Sequence, residues 1–175
     1  MTITPSLRGA VSAVAALLLL VGVPALTAAT PAPASHAGWS ALLARHVKAG
    51  VVDYAGFQRD EAELDRYLAM LGRTDPAALD RDQRLAFWIN AYNAFTVKLI
   101  LGKYPDIASI RDYWGPWDRR DWVVNGEKRT LNEMEHQILR VEFEEPRIHF
   151  AINCASLGCP DLAGEAFVAE RLEEQ

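Results

Sequence analysis

Residues 82–102 (DQRLAFWINAYNAFTVKLILG) constrain this chain more than any other segment, because they are long enough for a multi-turn helix and apolar on almost every side. A helix with no polar face must be surrounded by other elements of the fold. The run predicts a buried central helix, and neither it nor any later segment is apolar enough for long enough to cross a membrane. Asn90 and Asn93 stand three apart on one face, amid Trp88, Tyr92 and Phe95. Buried amides must find partners. The backbone of a neighbouring loop is the expected partner, and direct contact with a substrate is the alternative.

Shorter elements are predicted around that helix. Trp39, Leu42, Leu43 and Val47 recur at helical spacing over residues 39–49, with Gly50 as the C-terminal glycine. A short strand follows at residues 51–54, then a helix over 57–71 closed by Gly72. Asp75-Pro76 and Leu79-Asp80 mark a turn and a cap. Beyond the central helix, Tyr104-Pro105 is a stop and residues 109–122 are an aromatic, charge-mixed connection. Asn125-Gly126 between two strand-like runs predicts a β-hairpin. Thr130 with Glu133 is a capping box that starts a helix to about Leu139. Residues 147–152 read as a strand and 165–172 as a helix. The expected fold is α+β: a helix-rich N-terminal half on a long buried central helix, then a β-hairpin and small antiparallel sheet. Residues 171–175 break off inside a helical, charged pattern, so a C-terminally truncated domain is expected.

Residues 1–29 have the layout of a secretory signal peptide: Arg8, an apolar stretch over 9–26, and the small residues Thr27-Ala28-Ala29. The stretch is short for a spanning helix and is interrupted by Gly22 and Pro24. Secretion or a periplasmic location is expected, with no stable membrane insertion after cleavage. Residues 30–38 (TPAPASHAG) read as a flexible Pro/Ala-rich leader to a single domain over 39–175. Cleavage would remove one of the 18 basic residues and none of the 23 acidic ones, taking the formal net charge from −5 to −6. That balance disfavours nucleic acid as a partner.

Reactive groups gather in residues 146–160 (PRIHFAINCASLGCP), which hold both cysteines of the chain. Three uses of Cys154 and Cys159 compete. An exported chain with two cysteines invites a disulfide, although so short a loop contributes little stability. A thiolate at Cys154, flanked by Asn153 and Ser156, could act as a nucleophile. His136, His149, Cys154 and Cys159 make a nominal His₂Cys₂ set, but the histidine spacing does not suit zinc and no metal is expected. If 147–152 is a strand, Arg147, His149, Ala151 and Asn153 share one face and Cys154 points to the other. The base is then more naturally His136, oriented by Glu133 or Glu135. No phosphate loop, dinucleotide fingerprint, G-x-S-x-G or H-E-x-x-H occurs, so no cofactor is expected.

Three segments carry a specific resemblance: AFWINAYNA at residues 86–94, TLNEMEHQILR at 130–140, and the 146–160 run. In this order they resemble the signature blocks of the domain of unknown function 547 (DUF547). In kind, that family is similar to papain-like or transglutaminase-like cysteine hydrolases, which implies a papain-like fold and a working cysteine and histidine. Carried onto this chain, the resemblance implicates Cys154, His136, and Glu135 or Glu133, with Asn90, Asn93, Arg147, His149, Asn153 and Ser156 around the substrate. It also implies a domain that continues into a further helical, aromatic segment. Two functions are open: a cysteine hydrolase or acyl transferase acting on amide or thioester bonds, and a noncatalytic binding or scaffold domain with a Cys154–Cys159 disulfide; a third, thiol–disulfide exchange, is the weaker reading because the cysteine spacing is not C-x-x-C. In the second, the aromatic connection from Tyr113 to Trp122 would be the recognition surface.

Overall fold

Helix α4, Arg81–Leu101, is the axis of the structure, and from Leu85 to Leu101 only Lys98 escapes burial. Its start is set by a capping box, in which Asp80 accepts from the Gln83 backbone and the Gln83 side chain accepts from the Asp80 backbone. Lys98 reaches outward to Glu61 at 2.7 Å. The computed structural model describes residues 34–175, so the signal peptide expected at 1–29 and residues 30–33 of the expected leader lie outside the described residues. Among the described residues no helix is long and apolar enough to cross a membrane.

Helix α1, Ala37–His46, buries Trp39, Leu42 and Leu43 against the core, where Trp39 stacks on Tyr67 at 5.8 Å. Gly50 does not close this helix. It shares with Ala49 the turn of a two-stranded hairpin, β1 Val47–Lys48 and β2 Val51–Val52, with φ of 76° and 48°. The single helix expected over 57–71 is two, α2 Tyr54–Arg59 and α3 Glu61–Arg73. The break falls at Asp60, whose backbone leaves the helical region at φ −100° and ψ 17° and whose carboxylate lies 2.8 Å from His46 Nε2. Gly72 lies inside α3, which ends at Thr74 with the Thr74 hydroxyl donating to the Met70 carbonyl.

Gly56, in α2, is a place where nothing larger fits. A Cβ there would lie 2.3 Å from His46 Nδ1 and 2.5 Å from Asp53 Oδ2. Both neighbours are held in place, His46 by Asp60 and Asp53 by its cap to the Gly56 N–H. Gly56→Ala is expected to cost about 2 kcal/mol, the scale of overpacking a fixed site. Urea unfolding of the two proteins measures it, and an unchanged midpoint would refute the contact.

The second hairpin forms where Asn125-Gly126 places it. Strands β3 Trp122–Val124 and β4 Glu127–Arg129 pair antiparallel, and Asn125 and Gly126 take φ of 50° and 74°, the pair of positive values a tight hairpin turn requires. Gly126 N–H also donates to the Gly72 carbonyl, which ties the turn to α3. Trp122 stacks on Phe95 of α4 at 5.0 Å. Thr130 and Glu133 form the expected capping box, and the helix they start runs through residues 131–142 with Met134–Leu139 wound as π-helix.

Two expected elements are replaced. Residues 147–152 are not a strand, because Ile148–Ala151 is a short helix and only Ile152 beyond it is extended. Ile148 and Ile152 are both buried at a spacing of four, a pattern that a short apolar run shares with a strand. Residues 165–172 are not a helix either, apart from a 3₁₀ turn at Ala169–Arg171. The Phe167 carbonyl, which a helix through these residues would give to the Arg171 N–H, accepts from Asn90 Nδ2, and the Arg171 N–H turns to the Val168 carbonyl in a tighter 3₁₀ turn. The class is α+β, mostly helical with two separate two-stranded antiparallel sheets.

Candidate functional site

Asn90 and Asn93 act as paired backbone clamps. Asn90 Nδ2 donates to the Phe167 carbonyl at 2.8 Å and its Oδ1 accepts the Phe167 N–H at 2.9 Å. One turn on, Asn93 Nδ2 donates to the Ala151 carbonyl at 2.9 Å and its Oδ1 accepts the Asn153 N–H at 2.8 Å. Each amide thus replaces a strand partner for one stretch of irregular chain. The two are 0% and 2% exposed, and both polar atoms of each amide are taken by backbone groups.

Asn93 places Asn153, and Asn153 shapes the loop beyond it. Its Oδ1 accepts the Ala155 N–H at 2.9 Å, and its Nδ2 donates to the Pro160 carbonyl at 2.7 Å. Ala155 takes a positive φ of 54° within that turn. Cys154 and Cys159 are joined as a disulfide, with Cα atoms 5.9 Å apart. Ser156, Leu157 and Gly158 form the exposed tip, where Ser156 contributes its carbonyl to the Cys159 N–H.

The proposed acid-base residues lie on another element. His136 is on the π-wound turn with its side chain 54% exposed, and its Nε2 is 3.9 Å from Glu135. Glu135 is engaged elsewhere: it accepts from the Tyr92 hydroxyl at 3.1 Å and from Arg140 at 2.7 Å. Burial, reinforced by that carboxylate, raises the Tyr92 hydroxyl pKa far above the usual phenol value. Glu133 is spent on the Thr130 N–H and on Arg120. Among the described residues no hydrogen bond or ion pair links His136 to the Cys154 loop. The strand alternation that separated His149 from Cys154 does not apply, since His149 lies on a helical turn; it is exposed, edge-on to Phe150.

Beside the clamps lies a cleft of about 460 Å³. Leu85, Ile89, Ile148, Phe167 and Leu172 supply apolar lining, and Phe150, 73% exposed, stands at its edge. Arg147 is on the rim, paired with Glu145 at 2.6 Å and Glu173 at 3.0 Å. Hydrogen bonds donated by Arg147 hold the Glu145 carboxyl down at about 2, and the same bonds, to Glu145 and Glu173, raise the Arg147 pKa. Of the residues singled out in the sequence, only Arg147 lines this cleft. Leu85 and Ile89 were hidden by the all-round apolar character of α4, and Phe167 carries no motif. In the aromatic connection Tyr113 and Trp122 are buried, whereas Trp114, at 95% exposure, projects into solvent.

The family model for proteins of unknown function DUF547 matches residues 76–175, a span that holds α4, both clamps and the disulfide loop. The chain belongs to the DUF547 family. No curated protein and no solved structure matches it. Within the matched span of this DUF547 chain, the three signature blocks meet. Asn93 of the first holds Ala151 and Asn153 of the third, while Tyr92 of the first holds Glu135 of the second. Their polar residues therefore have a structural office that their spacing did not disclose.

Proposed function

We propose that the chain is an exported, noncatalytic binding domain, closed by the Cys154–Cys159 disulfide, whose ligand seat is the cleft beside Ile148–Ala151. The observation that carries this reading is the engagement of the residues that hydrolysis would need. Cys154 Sγ is bonded to Cys159, and Glu133 and Glu135 serve Arg120, Thr130, Tyr92 and Arg140. A nucleophilic cysteine needs a thiolate and a base within reach. The cleft, by contrast, joins an apolar floor to a rim crowded with charged side chains, Arg81, Asp82, Glu145, Arg147, Arg171 and Glu173 among them, which makes it a concave seat for a small ligand or side chain. It suits a ligand with an apolar body and polar ends that meet the paired rim of Arg147, Glu145 and Glu173.

Intact mass before and after alkylation without reductant tests the first half. A two-hydrogen deficit and no alkylation are expected; rapid labelling of Cys154 would return the hydrolase reading, with His136 as proton carrier. An anilinonaphthalene sulfonate dye tests the second half. Phe150→Asp should weaken its binding about tenfold through lost apolar contact. Equal binding to both proteins would remove the cleft.

A further inference from the structure

The loop that carries the disulfide is closed twice. Asn153 bridges Ala155 N–H and the Pro160 carbonyl, the same two arms that Cys154 and Cys159 join. Its flanks are anchored independently of sulfur. Asn153 N–H is held by Asn93, while Ile152 and Leu162 are 6% and 3% exposed. Asp161 packs so closely on Gly50 that a Cβ there would come 2.2 Å from its carboxylate carbon. Breaking the sulfur–sulfur bond would remove none of these contacts. The sulfurs would remain held in register by the amide bridge, next to an exposed tip at Ser156, Leu157 and Gly158. A loop with so few residues between its cysteines also contributes little as a staple.

We propose that Cys154 and Cys159 are a thiol–disulfide exchange pair that is reduced and reoxidised without unfolding, with Asn153 as the positioning residue that keeps the two sulfurs in register. The co-reactant is an external thiol. Its thiolate attacks one loop sulfur, forming a mixed disulfide and releasing the other sulfur as a thiolate, which takes a proton from water. A second external thiolate attacks the external sulfur of that mixed disulfide, and the second loop sulfur leaves and is protonated. The protein gains two electrons and two protons, and the external thiols leave as their own disulfide. This activity goes beyond ligand binding and shares with that reading only the oxidised pair.

Equilibration of the full chain with glutathione and its disulfide at a series of ratios, followed by acid quench, alkylation and intact mass, tests the proposal. A reversible transition between disulfide and dithiol is expected, with the far-UV circular dichroism unchanged. Asn153→Asp, which keeps the acceptor for Ala155 but not the donor to Pro160, should shift the equilibrium severalfold toward the dithiol. Asn153→Ala, which removes both bonds of the bridge that preorganises the dithiol, should shift it further in the same direction. Leu157→Ala, at the exposed tip, should leave it unchanged. Cys159→Ser should retain glutathione on Cys154 as a mixed disulfide. Unfolding on reduction, or an equilibrium that Asn153→Asp does not move, overturns the proposal. A pair that stays oxidised at every ratio overturns the exchange and leaves the binding reading standing, whereas a pair that never oxidises overturns both.

Discussion

Asn90→Ala is expected to lower the stability of the domain by about 4 kcal/mol. The reason is the number of groups stranded by one truncation. Asn90 is fully buried and satisfies both the N–H and the C=O of Phe167, itself 8% exposed, at 2.9 and 2.8 Å. Each buried backbone group left without a partner costs about 1–3 kcal/mol. In a domain of this size the loss corresponds to a fall in Tm on the order of 10 °C. Asn90→Asp should also destabilise, because a carboxylate can accept from Phe167 N–H but cannot donate to its carbonyl, and it brings a charge into the core. Urea unfolding measures the change, and hydrogen exchange at Phe167 should rise with it. A loss below about 1 kcal/mol for Asn90→Ala would show that water replaces the clamp.

Acid should weaken the fold through His36, by up to about 3 kcal/mol between pH 6.5 and 4. His36 is 9% exposed, lies 2.7 Å from the Tyr67 hydroxyl and tilts against Phe87 at 6.3 Å. Burial lowers its pKa from 6.5 to about 4. The sign follows from which state takes the proton first. Above 6.5 the histidine is neutral in both states and the packing is intact. As pH falls below 6.5 the unfolded chain binds a proton that the folded chain refuses, so stability declines until the folded state also protonates near 4. Glu145, held near 2 by Arg147, adds its own loss as pH falls from about 4.5 toward 2, overlapping only the lower end of that window. Thermal melts of wild type and His36→Gln across pH 7 to 4 should differ in slope, with the variant flatter. Parallel slopes would exclude His36 as the acid-sensitive group.

The elements that could be read without coordinates are those whose cause is local. The Asp80–Gln83 and Thr130–Glu133 boxes each lie within four residues, and Asn125-Gly126 supplies the two positive φ values its hairpin needs. The burial of α4 is equally local, since a helix without a polar face has only one environment open to it. Elements were misread where a distant partner decided. Asp60 meets His46 at the point where one expected helix divides into two, and Asn90 takes the Phe167 carbonyl that another would have used. His36, part of an apparent leader by composition, is buried because Tyr67 and Phe87 of two other helices meet it.

The site divides the same way. That residues 146–160 concentrate the reactive groups, that two asparagines on a buried helix must be satisfied, and that the chain belongs among DUF547 proteins all follow from the order of its residues. What those groups touch follows from the fold alone. It gave the asparagines backbone partners 58 and 77 residues away, turned the glutamates toward Tyr92, Thr130 and arginines, and set Asn153 and the disulfide across the same loop. The physical reason is that spacing fixes which face of an element a residue occupies, whereas a hydrogen bond or a sulfur–sulfur bond depends on what that face meets after the chain has folded.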